Sequence, residues 1–158
     1  MVEKRPWFEK IVFPALLRHA RSTYGTAMRR ALVTAGYDDV PKNGLYVIGG
    51  LALGAGGVPL SQLVKELGIS KQAAGQLVDT LVLRGYIERT VDNDDRRRLT
   101  VTLTERGKGA AAVQTAARAK IDAGLIAAVG EQRISVTRRT LAALVELGRD
   151  VDGRVDDH

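Results

Sequence analysis

The sequence predicts a mainly α protein that carries one short β-hairpin. Three observations predict it. Apolar residues recur at three-to-four spacing along most of the chain; the helix-ending glycines Gly36, Gly68, Gly85 and Gly130 follow those runs; and the pattern turns β-branched only around residues 86–103. At 158 residues with 45% hydrophobic content, one compact domain spanning 1–158 is the expectation, and disorder throughout is excluded.

Each element has its own signal. Pro14 suits a first helical turn, and Leu17, Ala20, Tyr24, Ala27, Ala31 and Ala35 then share a face, so 14–35 reads as one helix closed by Gly36. Pro41 opens a second helix over about 42–54, stopped by Gly54, Gly56 and Gly57. A short third helix follows Pro59, with Leu60, Leu63, Val64 and Leu67 on one face and Gly68 at its end. Ser70 caps a fourth, with Ala74, Leu77, Val78 and Leu81 inward, which ends at Gly85. Tyr86–Val91 and Leu99–Leu103 read as strands around the wholly polar tip Asp92-Asn93-Asp94-Asp95-Arg96-Arg97-Arg98. Thr104 caps a fifth, alanine-rich helix over about 105–129. Gly130 interrupts it, and a sixth helix over about 131–149 turns Ile134, Leu141, Leu144 and Val145 inward. Residues 150–158 form an acidic tail whose last eight residues carry no apolar period and are expected to fray.

Composition excludes several functions. Without cysteine there is no disulfide scaffold, zinc finger, iron–sulfur site, thiol nucleophile or cysteine-based peroxide sensor. Aromatics at 4% argue against single-strand base-stacking platforms. The net charge is +6 and the pI about 9.9. Five acids against two bases lie from Glu146 onward, which leaves +9 on the body and fits an acidic partner such as DNA. The N-terminal apolar stretch is broken by Glu9, Lys10 and Pro14, so no signal peptide is expected, and no apolar run of about 18 residues predicts a membrane span. A cytoplasmic location follows as the expectation.

Residues 60–85 have helix-turn-helix spacing. The outward face of the second helix presents Lys71, Gln72, Gly75, Gln76 and Asp79, concentrated in the N-terminal half that enters a major groove in this motif. Gln pairs bidentately with adenine, Lys reaches guanine or phosphate, and Gly75 permits close approach. The alternative for such a face alone is a solvated helical hairpin. The strand–tip–strand that follows is the winged variant, and its three consecutive arginines suit a minor groove.

The stretch SKQAAGQLVDTLVLRGYIERTVDNDDRRRLTVTLTERG, residues 70–107, resembles the multiple antibiotic resistance regulator (MarR) family of bacterial transcription factors. The wing-to-helix pattern carries the resemblance: Asp92, Asp95-Arg96-Arg97, Val101, Leu103-Thr104 and Gly107. It implies a mainly α fold with a winged helix-turn-helix DNA-binding lobe (about 58–103) and a helical dimerisation platform from the N- and C-terminal helices (about 7–36 and 105–149). It further implies a homodimer that binds pseudo-palindromic double-stranded DNA, as a ligand-responsive repressor. The recognition helix would use Ser70, Lys71, Gln72, Gly75 and Gln76. In the wing, Asp95 would orient Arg97 into the minor groove while Arg96 and Arg98 meet phosphates. The chain departs from the family at Ala73, where Ser or Thr is frequent, and at Gln76, where Arg is frequent. Family members often bind small aromatic or phenolic effectors between platform and lobe; His19, Tyr24, Met28 and Tyr46 are the residues placed to line such a pocket, or else to pack a core. Trp7 and Phe8 would form an apolar arm. A winged-helix protein-interaction module without sequence-specific DNA binding is the rival function.

Other signals do not rise to sites. Gly54-Ala55-Gly56-Gly57 lacks the Lys-Ser/Thr and the preceding strand of a phosphate loop. Gly50 and Gly54 sit in a segment too short for a membrane dimer. His19 and His158 have no metal-ligand spacing, and Ser22, Ser61, Ser70 and Ser135 lie on no nucleophile elbow. No metal, cofactor or catalytic residue is expected.

Overall fold

A computed structural model describes residues 5–54, 58–59, 62, 65, 67–91, 94 and 99–153. Leu60, Leu63 and Val64 of the expected third helix, Asp92 and residues 95–98 of the tip, and residues 154–158 lie outside the described residues. A short 3-10 turn, Trp7–Lys10, precedes helix α1 (Phe13–Thr34), α2 (Gly44–Leu53), strand β1 (Val58–Pro59), α3 (Lys71–Leu83), β2 (Ile87–Val91), β3 (Leu99–Leu103), α4 (Glu105–Val129) and α5 (Glu131–Gly153). Gln62, Lys65 and Leu67 are helical, where the short third helix was expected. The fold is mainly helical with one small sheet. The chain divides into two compact units, Met1–Ala119 and Lys120–His158.

The first unit holds the core. Leu32, Leu45, Val47, Ile48, Leu51, Val78, Leu81, Tyr86, Ile87 and Val101 are buried together with Ala110 and Ala111. Helix α2 is apolar nearly all round, and five of its ten residues are buried, so it is the central rod on which α3 and β3 pack. Helices α1 and α3 end alike. The Gly36 N–H donates to the Val33 carbonyl and Tyr37 N–H to Leu32; Gly85 N–H donates to Val82 and Tyr86 N–H to Leu81. With φ of +90° at Gly36 and +80° at Gly85, both are Schellman caps. Each reverses the chain and delivers a tyrosine, and the Tyr37 and Tyr86 rings meet at 6.2 Å between centroids.

The buried stripe of α1 differs from the expected one. Ala20 and Ala35 are exposed, whereas Gly25 and Leu32 are buried and Met28 packs against the core. The face is rotated by one residue because Leu32 buries far more apolar surface than Ala31. Gly25 also admits the Tyr46 hydroxyl, which a Cβ would meet at 3.2 Å.

Strands β2 and β3 pair antiparallel from Ile87↔Leu103 to Val91↔Leu99. The hairpin gains an unexpected third strand: Val58 and Pro59 pair with Val101 and Thr100, giving the order β1-β3-β2. A two-residue edge strand tolerates proline, and it covers the otherwise open edge of β3. Tyr86, expected as the first strand residue, instead precedes the strand and is fully buried.

The hairpin is locked to α4 by one junction. Thr104 N–H donates to the Tyr86 carbonyl at 3.1 Å, and its hydroxyl donates to the Gly85 carbonyl. The same hydroxyl accepts from Gly107 N–H at 3.1 Å, so it caps α4 as expected. Gly107 is confined by this junction: a Cβ there would lie 2.0 Å from the Tyr86 carbonyl oxygen.

The second unit is built differently. Gly130, with φ of +85°, separates α4 from α5, and α5 runs to Gly153, four residues past the expected end. Among its described residues none is buried. Ile134 and Leu141 are half-buried, while Leu144 and Val145, expected inward, are exposed, as are Leu125, Ile126, Val136, Leu147 and Val151.

Gly107→Ala should destabilise the protein by about 1–3 kcal/mol or more, the usual cost of forcing a carbon into occupied space. Urea titration followed by circular dichroism measures it; an unchanged midpoint would contradict the junction.

Candidate nucleic-acid interface

Helix α3 begins after Gly68, whose φ is +61°, and is capped by Ser70, whose hydroxyl oxygen accepts from Ala73 N–H at 3.1 Å. Ala74, Val78 and Leu81 are fully buried and Leu77 half-buried. That burial fixes which face is left. Lys71, Gln72, Gln76 and Asp79 are exposed on it, with Gly75 between them. A Cβ built at Gly75 meets nothing within 4 Å, so the glycine leaves an open notch rather than relieving a clash. Two carboxamides and one ammonium around a notch, on the first two turns of a capped helix, are hydrogen-bonding groups suited to base edges. The N–H groups of that first turn also favour phosphate. Ser70 sits at this end, its oxygen engaged in the cap.

Sequence reasoning singled out neither the Asp79–Arg89 pair nor Arg89. Arg89 on β2 donates to the Asp79 carboxylate on α3 and joins the hairpin to the exposed side of the helix. Both side chains are partly solvated, so the pair contributes little stability, about 0–1 kcal/mol. Its effect is orientational. The period-2 alternation placed Arg89 on a strand but could not show which helix residue it faces. Beyond it the Thr90 and Thr100 hydroxyls meet at 2.6 Å across the strands, and Val91↔Leu99 is the last pair before the tip. Asp95, Arg96, Arg97 and Arg98 lie outside the described residues.

Of the four expected pocket residues, the structure brings two together. Met28 and Tyr46 line a cavity of about 430 Å³ with Gly49, Gln114, Thr115 and Arg118 among others. His19 is exposed and Tyr24 half-buried, and neither lines it. The Arg21 guanidinium stacks 4.3 Å from the centre of the Tyr46 ring. Gln114 is 4% exposed; its amide N–H donates to the Leu45 carbonyl at 2.8 Å, and among the described residues its side-chain oxygen has no hydrogen-bond partner. The one available signal for Gln114 was a long polar side chain on the apolar face of an alanine-rich helix. Among the described residues no three His, Cys, Asp or Glu side chains gather as metal ligands, and no helix is long and apolar enough to cross a membrane.

The MarR family pattern matches residues 45–98, which contain α2, α3 and the first strand of the hairpin. YwhA, an HTH-type transcriptional regulator of Bacillus subtilis (strain 168), is 29% identical over 90 residues; the match covers 57% of this chain and 62% of that protein. Among solved structures, a MarR transcriptional regulator from Methanosarcina mazei Go1 superposes with a TM-score of 0.72 at 19% identity, over 87% of this chain and 96% of that one. FabT of Streptococcus pneumoniae, solved in complex with DNA, superposes with a TM-score of 0.69 at 22% identity, over 89% and 99%. In sequence over residues 45–98, and in fold over most of its length, this chain is similar to MarR-family regulators.

Proposed function

We propose that the chain is a DNA-binding transcriptional repressor that recognises pseudo-palindromic duplex DNA as a homodimer and responds to a small ligand. The observation that carries DNA recognition is the outward face of α3. Its polar side chains are exposed around the Gly75 notch because Ala74, Val78 and Leu81 are committed to the core. In this reading α3 enters the major groove and Lys71, Gln72 and Gln76 meet bases or phosphates. The tip residues Asp95–Arg98 reach the minor groove, Arg97 inward and Arg96 and Arg98 on phosphates. The pair with Asp79 adds Arg89 to the residues that orient the wing. The DNA complex of FabT supports the reading by likeness of fold.

The homodimer rests on the second unit. Val136, Leu144, Val145, Leu147 and Val151 of α5 are exposed and none of its described residues is buried, and exposed apolar faces of this kind mark association surfaces. The dimerisation helices are those within 7–36 and 105–149, and the two α3 helices then lie about one DNA turn, roughly 34 Å, apart.

The effector is a small aromatic or phenolic molecule in the cavity beside Met28 and Tyr46, whose volume suits one. A phenolic hydroxyl is the kind of donor that the Gln114 oxygen lacks. By linkage, such a ligand releases DNA only if it binds the DNA-free geometry more tightly.

Titration of labelled duplex over a range of salt tests the reading. Affinity should fall steeply with salt, and Gln72→Ala or Gln76→Ala should cost about 1–3 kcal/mol on the preferred site while relaxing base preference. A salt-independent interaction, or base preference unchanged in both variants, would place recognition elsewhere.

The dimer makes a second expectation. Sedimentation equilibrium at micromolar concentration should give twice the chain mass, and footprinting should show an inverted repeat with centres about 10 base pairs apart. Inserting five base pairs at its centre should abolish tight binding. A monomeric mass, or undiminished affinity for the expanded site, would remove the rigid dimer.

A further inference from the structure

Two segments far from it in sequence converge on Asp39, a loop residue between α1 and α2. Its carboxylate accepts from the Tyr86 hydroxyl, just past the end of α3, and from Arg106 Nη2 at 2.8 Å, in the first turn of α4. Arg106 also donates to the Tyr86 hydroxyl at 2.9 Å and lies 4.6 Å from the centre of its ring. The Asp39 backbone carbonyl accepts from the side chain of Arg84, the C-cap residue of α3. The loop is held from the other side by Tyr37, whose hydroxyl occupies the space a Cβ on Gly109 would need, 2.3 Å away. The groups suit their parts at neutral pH. The hydrogen bond from Tyr86, aided by Arg106, holds the Asp39 carboxyl below its ordinary range despite partial burial; burial and the bond to Asp39 raise the Tyr86 phenol, which therefore stays a donor.

None of these residues lies on the outward face of α3. They control how that face is held. Its N-terminal cap is a local bond within Ser70–Ala73. Besides its buried face and the Asp79–Arg89 pair, polar bonds tie its other end to the loop before α2, through Arg84 and Tyr86. We propose that Asp39 is a positioning residue for DNA recognition, setting the pose of helix α3 by holding Arg84 and Tyr86 against the start of α4. This rests on the DNA-binding reading above. Base contacts demand placement within about 0.5 Å, whereas phosphate attraction is long-ranged and tolerant. Loss of the Asp39 anchor therefore has a particular signature: discrimination falls while general affinity does not.

The test uses the full chain, a duplex selected by the wild-type protein from a random pool, and a random duplex. Both are titrated over a range of salt with wild type, Asp39→Asn, Tyr86→Phe and the double variant. Tyr86→Phe keeps the buried ring and removes only the hydroxyl, so it guards against a variant that fails to fold. Each single variant should lose about tenfold in the ratio of selected to random affinity, on the order of one charge-assisted hydrogen bond. The salt slope and random-duplex affinity should stay at wild-type values, and the double variant should lose no more than either single one. Wild-type discrimination retained in both single variants overturns the inference alone. Selected and random affinities falling together with the folded fraction reduce Asp39 to a stabilising residue and overturn it as well. A wild-type chain that selects no duplex overturns the DNA-binding reading and the inference with it.

Discussion

The Tyr86 carbonyl oxygen stands where a side chain on Gly107 would begin, and most of the first unit depends on that close approach. It brings the first turn of α4 against the end of α3. Thr104 then spans the gap, with N–H to Tyr86, hydroxyl to Gly85, and the same oxygen accepting from Gly107. Four backbone groups that would otherwise be orphaned at a helix end, a turn and a strand end are satisfied within one contact, which is how such termini are buried without penalty. The hairpin Ile87–Leu103 is thereby a loop whose two ends are pinned at one point, and its register follows from that pinning.

What could be read from the sequence is what is decided locally. Ser70 and Thr104 as caps, Gly36, Gly85 and Gly130 as reversals, and the burial of Ala74, Val78 and Leu81 all follow from hydrogen-bond chemistry or periodicity within a few residues. The outward face of α3 followed as the complement of its buried stripe, so Lys71, Gln72 and Gln76 were legible without tertiary information.

The remainder is non-local. Strand β1 exists because β3 had an open edge, a fact about the assembled sheet. The burial of α1 turned on which neighbour reached it, Tyr46 against Gly25, and not on the regular spacing of its alanines. The Asp39 cluster joins residues 47 and 67 positions apart, and Asp79 finds Arg89 across a chain reversal. Polar pairs of that kind have no period. In α5 the apolar period is present but its faces stay exposed within one chain, so the same pattern that predicts a helix says nothing of what covers it.

Gly75 has a consequence for how such a protein changes over generations. Glycine inside a helix costs about 1 kcal/mol relative to alanine, and here neither backbone conformation nor steric crowding requires it. Any side chain introduced there projects into open space, leaves the core untouched, and gains helix stability. The position is thus uncoupled from folding. Mutation can explore it without the instability that accompanies most substitutions. A lineage that retains glycine there forgoes stability for shape, while one that fills the notch changes the outward face of α3 in a single step and still folds.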